Sequence, residues 1–143
     1  MTKSIFISLP VADVAAATAF YEAIGCTREP LFSNDGAASM IWSDAVTFNL
    51  LGHDLYRTLT PKPPGDAKTS SAALFALSFD TRDAVDAFAA AAIAAGGREV
   101  HGAEDIGFMY SRGVEDPDGN GFGPMWIDRD AAVAAMHQNQ SAA

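Results

Sequence analysis

The sequence contains two copies of one pattern, and this repeat limits the folds open to the chain more than any other feature. FISLPV at residues 6–11 aligns with LFALSF at residues 74–79, an offset of 74 − 6 = 68. In each copy an alanine-rich segment follows and ends at a glycine, Gly25 or Gly96, an offset of 96 − 25 = 71. Self-similarity at this spacing indicates an internal duplication, so each half is expected to fold as one supersecondary unit.

Each half carries the signals of one strand, one helix and three further strands. Short runs rich in Ile, Phe and Val between turn residues predict the strands. Asp13 is a good helix N-cap, and Gly25 is the residue type that most often follows a helix. NDG at residues 34–36 and DPDGN at residues 116–120 predict hairpin turns. The predicted order is therefore β-α-β-β-β, twice.

A four-stranded sheet with one covering helix keeps one bare face, and two such sheets paired together enclose a cavity between their bare faces. The pattern therefore predicts an α+β fold, in which two tandem βαβββ modules form curved sheets around a cavity. Between the modules, Pro61, Pro63 and Pro64 disfavour a regular element. The expected organisation is a single domain over residues 1–143, with a first module at 4–51, a linker or lid loop at 52–72, a second module at 73–128, and a C-terminal helix or tail at 129–143.

The composition excludes some classes of partner. Nine basic residues stand against 18 acidic ones, a net charge of −9, so nucleic acid and anionic membranes are not expected partners. No apolar run approaches the roughly 20 residues that a membrane span needs. The first residues lack the long apolar region of a signal peptide. Cys26 is the only cysteine, so an internal disulfide is ruled out, which agrees with a cytoplasmic location.

Three longer stretches carry a resemblance to a known superfamily. They are FISLPVADVAAATAFYEAIG, ALSFDTRDAVDAFAAAAIAAGG and GFMYSRGVEDPDGNGFGPMWID, and together they touch most of residues 4–128. In this order and spacing they resemble the vicinal oxygen chelate superfamily, which includes glyoxalase I, extradiol dioxygenases, fosfomycin-resistance proteins and bleomycin-binding proteins. The nearest likeness is to a glyoxalase-like branch of unassigned function. The resemblance implies the fold but not the reaction, because one fold hosts many reactions.

Enzymes of that superfamily hold a divalent metal with His, Gln or Glu side chains from four strands, and the metal acts on the substrate as a Lewis acid. The resemblance places those four positions at Phe6, Asn49, Leu74 and Gly123. Three of these side chains have no donor atom, and asparagine offers one neutral carbonyl. We therefore expect no metal and no other cofactor. The pocket that this implies resembles that of the bleomycin-binding members, which are metal-free dimers that sequester a ligand.

A small-molecule ligand is expected to contact a polar end of this pocket. Tyr110 and Arg112 share one face of a predicted strand because strand side chains alternate. Arg112 would pair with a carboxylate or phosphate of the ligand, or else face solvent or pair with an acid such as Glu115. The predicted pocket residues are Phe6, Ser8, Asn49, Leu74, Tyr110, Arg112, Gly123 and Met125, and no residue is assigned a catalytic role.

Three functions stay open at this point. The first is a protein, by default a homodimer, that binds a small organic ligand, anionic if Arg112 faces it, in an apolar cavity. The second is a lyase or dioxygenase with a displaced metal site, drawing on His53 or on His101 with Glu104 and Asp105, or with no metal. Tyr110 or His53 would then act as acid or base. The third is a structural module whose cavity is filled by its own side chains.

Overall fold

The computed structural model describes residues 3–142, with side chains up to residue 139. These residues form eight strands and four helices, in the predicted order except for one additional short helix, His53–Leu59. They are β1 (Ile5–Val11), α1 (Val14–Ala23), β2 (Thr27–Asn34), β3 (Ala37–Ile41), β4 (Val46–Gly52), α2 (His53–Leu59), β5 (Leu74–Ser78), α3 (Arg82–Ala94), β6 (Arg98–Asp105), β7 (Met109–Glu115), β8 (Gly121–Ile127) and α4 (Arg129–Ala142).

The strands form two four-stranded sheets of the same topology. The order is β1-β4-β3-β2 in the first sheet and β5-β8-β7-β6 in the second. In each, the first strand runs parallel to the fourth strand of its module, and the other pairs are antiparallel. The predicted α+β fold of two βαβββ modules is thus confirmed.

The helix boundaries follow from local chemistry that the two modules share. Asp13 accepts a hydrogen bond from the Ala16 N–H at 3.0 Å, and Thr81 accepts one from the Ala84 N–H at 3.0 Å. Each side chain satisfies a backbone donor that the first helical turn leaves free. Gly25 follows α1 with φ 115°, a backbone conformation that favours glycine. These signals were visible in the sequence, so both helices were predicted correctly.

Both modules contribute to one hydrophobic core. The helix-covered sides of the two sheets both supply its side chains, and Phe48 of β4 packs against Phe122 of β8 with ring centroids 5.8 Å apart. Phe48 also meets Phe75 of β5 at 5.7 Å. Burying each such phenylalanine stabilises the fold by about 1.5–3 kcal/mol. Cys26 is buried in the same core, and burial raises the pKa of its thiol to about 12.

Because the core occupies the helix-covered sides, the opposite sides of both sheets point away from it. We call these the first open face, on the β1–β4 sheet, and the second open face, on the β5–β8 sheet. Phe6 on the first is 65% exposed and Leu74 on the second is 80% exposed. The expectation that the bare faces enclose a cavity is therefore not met within one chain.

The predicted loop at residues 52–72 is wrong for its first part. His53–Leu59 forms the short helix α2, since this stretch contains no proline and begins directly at the end of β4. The prolines act only afterwards, in the connector, by which we mean residues 60–73 between α2 and β5. The C-terminal segment forms the expected helix, α4. In the described part of the chain, no helix has the length and apolar character needed to cross a membrane.

Candidate functional site

The first open face carries an apolar pocket of about 390 Å³. Alternation along β1 and β4 turns Phe6 and Asn49 to this side, because Ile7 and Phe48 point into the core. Ser39 of β3 lies beside Asn49 in the antiparallel register, so a hydroxyl and an amide stand together. The lining residues are Phe6, Phe32, Ala37, Ala38, Ser39, Asn49 and Leu51.

Large apolar side chains are exposed on and beside this pocket. Phe6, Phe32 and Leu31 are 65%, 70% and 78% exposed. A contiguous exposed apolar patch on a globular protein marks a binding surface for a ligand or a partner. The lining contains no Lys, Arg or His side chain. The surface therefore suits an uncharged, mainly apolar group, with hydrogen bonding available at Asn49 and Ser39.

The second open face is shaped by glycines. The Leu74 side chain occupies the space beside Gly121, where an added Cβ would come within 2.8 Å of it. The His101 ring lies in the same way over Gly113, its partner in the β6–β7 register. Beside Gly123 the space is open, since the nearest atom to an added Cβ is the Arg112 carbonyl oxygen at 4.0 Å. The second face is thus hollow at Gly123.

The four positions that the resemblance assigned to metal ligands all lie on the open faces. Phe6 and Asn49 are on the first, and Leu74 and Gly123 are on the second, with Leu74 placed like Phe6 in its module. The alignment of the two modules therefore assigns these residues to the correct faces of their strands. The chemistry of these four side chains does not fit a divalent metal. Among the residues that the structure describes, no three His, Cys, Asp or Glu side chains come together.

Tyr110 and Arg112 do not lie on an open face, which corrects their predicted place in the pocket. They share the helix-covered side of β7 with Val114, which is in the core. The Tyr110 hydroxyl donates to Asp86 of α3 at 2.6 Å, and the Arg112 Nη1 donates to the same oxygen at 3.1 Å. These hydrogen bonds, Tyr110 first, lower the pKa of Asp86.

The guanidinium of Arg112 is held by acids of its own chain. Besides Asp86 it contacts Glu99 of β6 at 3.1 Å, and not Glu115, which pairs with Arg98. The sequence already showed that Arg112 shares one side of β7 with Tyr110. It did not show which side of β7 is covered by α3, because that depends on how the helix packs. The argument for an anionic ligand therefore loses the residue that supported it.

The other predicted residues divide between three places. Met125 lies on the second open face, where it pairs with Ser111. Ser8 lies beside Asn49 in the β1–β4 register, and it also lines a separate cavity, described next. His101 lies 3.9 Å from Glu104, whereas Asp105 pairs with Arg82, so the three do not converge on a common point.

A second cavity of about 500 Å³ lies between the end of β1, α2, the connector and the β7–β8 turn, and we call it the connector cavity. His53 lines it, as do Tyr56, Arg57, Lys68 and Asp118, none of which the pocket prediction included. The sequence signal that could have located this cavity is the proline-free stretch His53–Leu59, because a helix formed there can line one side of a cavity beside the proline-rich segment. Burial raises the pKa of the Asp118 carboxyl, an effect partly offset by the hydrogen bond from the Ala12 N–H.

The DPDGN turn holds the two modules together. The buried Asp116 carboxylate accepts a hydrogen bond from the Tyr21 hydroxyl of α1 at 2.8 Å and from the Asn120 amide at 2.9 Å. Asp118 accepts from the Ala12 N–H at 2.9 Å. Burial, followed by the Asp116 charge, raises the pKa of Tyr21, which therefore stays protonated as a donor. The turn is a structural joint between α1 and the second sheet.

Known proteins share this architecture. The hypothetical protein SA1046 from S. aureus superposes with a TM-score of 0.75 at 19% identity, covering 89% of this chain and 95% of its own. A glyoxalase/bleomycin resistance protein/dioxygenase family enzyme from Burkholderia phytofirmans PsJN gives 0.74 at 19% identity, covering 89% and 100%. The bleomycin resistance determinant encoded on the transposon Tn5 gives 0.57 at 21% identity, covering 89% and 99%.

No curated protein matches the chain in sequence. The similarity to the three solved structures is below 25% identity, so it shows the fold and not an activity. The family model described as Glyoxalase/Bleomycin resistance protein/Dioxygenase superfamily matches residues 4–123, which is most of the chain. The chain therefore belongs to the glyoxalase/bleomycin resistance protein/dioxygenase superfamily.

Proposed function

We propose that this protein binds a small, uncharged and mainly apolar organic molecule on its first open face, and that it does so without a metal. The observation that supports this most directly is the exposed aromatic pair, Phe6 and Phe32, lining a pocket of about 390 Å³. Burying one such side chain against a ligand is worth about 1.5–3 kcal/mol. A volume of this size suits a compact organic molecule.

The polar atoms of the pocket favour a ligand with one hydrogen-bonding group. The Asn49 amide forms no side-chain hydrogen bond within the part of the chain described with side chains, and Ser39 lies next to it in the sheet. An amide donates and accepts, so it can satisfy a carbonyl or a hydroxyl of the ligand. A charged ligand would lose water at this site without gaining an opposite charge, which is costly.

A second copy of the chain is proposed to close the pocket. Phe6 and Phe32 project from the first open face, whereas the second open face has unfilled space at Gly123. A two-fold axis that lays the first face of one copy on the second face of the other brings the bulky side chains of the first face against the open space at Gly123, and does so twice. Both exposed apolar surfaces, including Leu74 at 80% exposure, would be covered together.

The superfamily match supports a binding protein and an enzyme equally, so the choice between them rests on the pocket. The Tn5-encoded relative is named as a bleomycin resistance determinant. Sequestration of a ligand in an apolar site needs no acid, base or metal ligand. A lyase or dioxygenase reaction would need such groups beside the pocket, and its lining offers an amide and a hydroxyl.

The test uses N-phenyl-1-naphthylamine, a neutral apolar fluorophore, titrated into the full chain. The Phe6→Ser variant is expected to bind roughly tenfold more weakly or worse, since it removes a ring that the ligand would bury. Leu59→Ser is the matched control, because Leu59 on α2 is 65% exposed, as Phe6 is, and lies outside the pocket. Equal weakening by both variants would contradict the proposed site.

Two further readouts separate the parts of the proposal. Affinity should be the same with and without EDTA, whereas loss of binding with the chelator would favour a lyase or dioxygenase with a displaced metal site. Sedimentation velocity should show a dimer that the Gly123→Trp variant weakens, because the indole fills the hollow that receives the partner. A wild-type monomer at tens of micromolar would remove the second copy from the site.

A further inference from the structure

The connector cavity is a built feature of the fold and shares no lining residue with the apolar pocket of the first open face. Gly119 of the β7–β8 turn packs against the connector so closely that an added Cβ would lie 2.7 Å from the Ala67 carbonyl carbon. The connector is itself folded here, since the Asp66 carboxylate accepts the Lys68 N–H at 3.0 Å and the Asp66 carbonyl accepts the Ser70 N–H at 3.0 Å. The cavity therefore has fixed walls from both modules.

One side of the cavity is apolar. Leu9 of β1 and Phe75 of β5 lie at the junction between the modules, and Tyr56 of α2 adds a third large side chain. Phe75 and Tyr56 are half-buried, so part of each ring still faces open space. An aromatic or short aliphatic group of a ligand can lie against Phe75 and Tyr56 and displace water from them, whereas Leu9 is almost fully buried in the core.

The other side carries cations whose partners are weak or absent. Lys68 takes part in none of the ion pairs among the described residues. Arg57 pairs with Asp54 at 3.2 Å, but both side chains are well exposed, so water already weakens that pair. His53 at the start of α2 lies on the same rim.

The two carboxylates of the lining are already engaged. Asp118 accepts the Ala12 N–H, and Asp66 accepts the Lys68 N–H, so each is tied to a backbone donor of the cavity wall. Asp118 is also close enough to Lys68 to interact with its charge, which weakens the attraction of Lys68 for an anion. The rim therefore combines two exposed cations, Lys68 and Arg57, with acids held by backbone donors, in a protein whose net charge is −9.

We propose that the connector cavity is a second ligand site, which takes a small organic acid with an apolar body. The carboxylate lies between Lys68 and Arg57, and the body lies against Phe75 and Tyr56. This site differs in charge from the first open face, which has no cation in its lining. It is also complete in one copy of the chain, so it does not depend on the dimer or on the ligand of the first face.

The experiment maps binding of 4-phenylbutyrate to the full chain by ¹H–¹⁵N NMR. Saturable shifts are expected at backbone amides of α2, of residues 66–73 and of residues 118–121, and not around Asn49. The neutral probe 4-phenylbutyramide has the same body, so it should bind about fivefold more weakly if the carboxylate meets two partly exposed cations. Lys68→Met should remove most of the preference for the acid.

The matched control is Lys62→Met, a second exposed lysine of the connector that does not line the cavity. It should leave both affinities unchanged. Shifts centred on Phe6 and Asn49, equal affinity for the two probes, or equal effects of the two lysine variants would each overturn the proposal. So would the absence of saturable shifts. Shifts centred on Phe6 and Asn49 would also count against an uncharged ligand for the first open face, whereas the other results leave that proposal untouched, since it is tested with a different probe.

Discussion

The two modules have the same strand order and share one core, yet the residues at corresponding positions of their open faces differ. On the helix-covered side, Phe48 of the first module corresponds to Phe122 of the second, an offset of 122 − 48 = 74, and the two rings touch. On the open side, the same offset relates Asn49 to Gly123. Each module's core side must fit the other module, whereas each open side faces solvent in a single chain.

The comparison also separates polar groups that fix structure from groups available to a ligand. Ala38 on the first module's core side corresponds to Arg112 in the second, again at an offset of 112 − 38 = 74. The small Ala38 is buried, whereas Arg112 is accommodated by Asp86 and Glu99. The open face with bulky apolar groups and an available amide belongs to the first module, so that module is the better candidate for ligand binding.

The largest effect is expected from truncating the two corresponding core rings. Phe48→Ala and Phe122→Ala should each lower the free energy of unfolding by about 3–5 kcal/mol, since both side chains are almost fully buried. The double variant should lose less than the sum, because the rings are in contact. Urea unfolding followed by circular dichroism measures this. Separate transitions for the two halves would break the idea of one shared core.

A smaller effect is expected from the two turns that occupy corresponding places. Asp116→Ala in the β7–β8 turn removes a buried carboxylate and leaves the Tyr21 hydroxyl without its partner, so it should cost about 3 kcal/mol. Asp44→Ala in the β3–β4 turn should stay within about 0.5 kcal/mol, as for an exposed surface position. Urea unfolding measures both losses of unfolding free energy. Similar losses for the two variants would show that the β7–β8 turn contributes no more to stability than the β3–β4 turn.

The smallest effect concerns the arginine that the second module places where the first has an alanine. Arg112→Ala should lower the unfolding midpoint modestly, because Asp86 and Glu99 lose their shared partner. It should leave binding of N-phenyl-1-naphthylamine unchanged. Arg98→Ala is the control, since Arg98 pairs with Glu115 through a side chain that is 71% exposed. A fall in probe affinity confined to Arg112→Ala would return this residue to the binding site.

Much of the fold could be predicted because its signals are local. The alternation in FISLPV, the caps Asp13 and Thr81, and Gly25 depend on neighbours within a few residues. The helix α2 was missed because the prolines after it dominate the composition of the segment. The strand alignment predicted that Phe6 and Asn49 share one sheet face and that Leu74 and Gly123 share another, whereas it did not predict the grouping of His53, Arg57 and Lys68 around one cavity.

The sequence by itself determined the two modules, their element order and which strand residues share a face, because backbone hydrogen bonding and side-chain alternation act over short distances. It also determined that Phe6, Leu74 and Gly123 have no donor atom for a metal. Only the tertiary structure decided which face of each sheet is buried. Packing the helix-covered sides together turned Tyr110 and Arg112 towards α3 and left Phe6 and Asn49 open, since a sheet buries the side that gains the larger apolar contact.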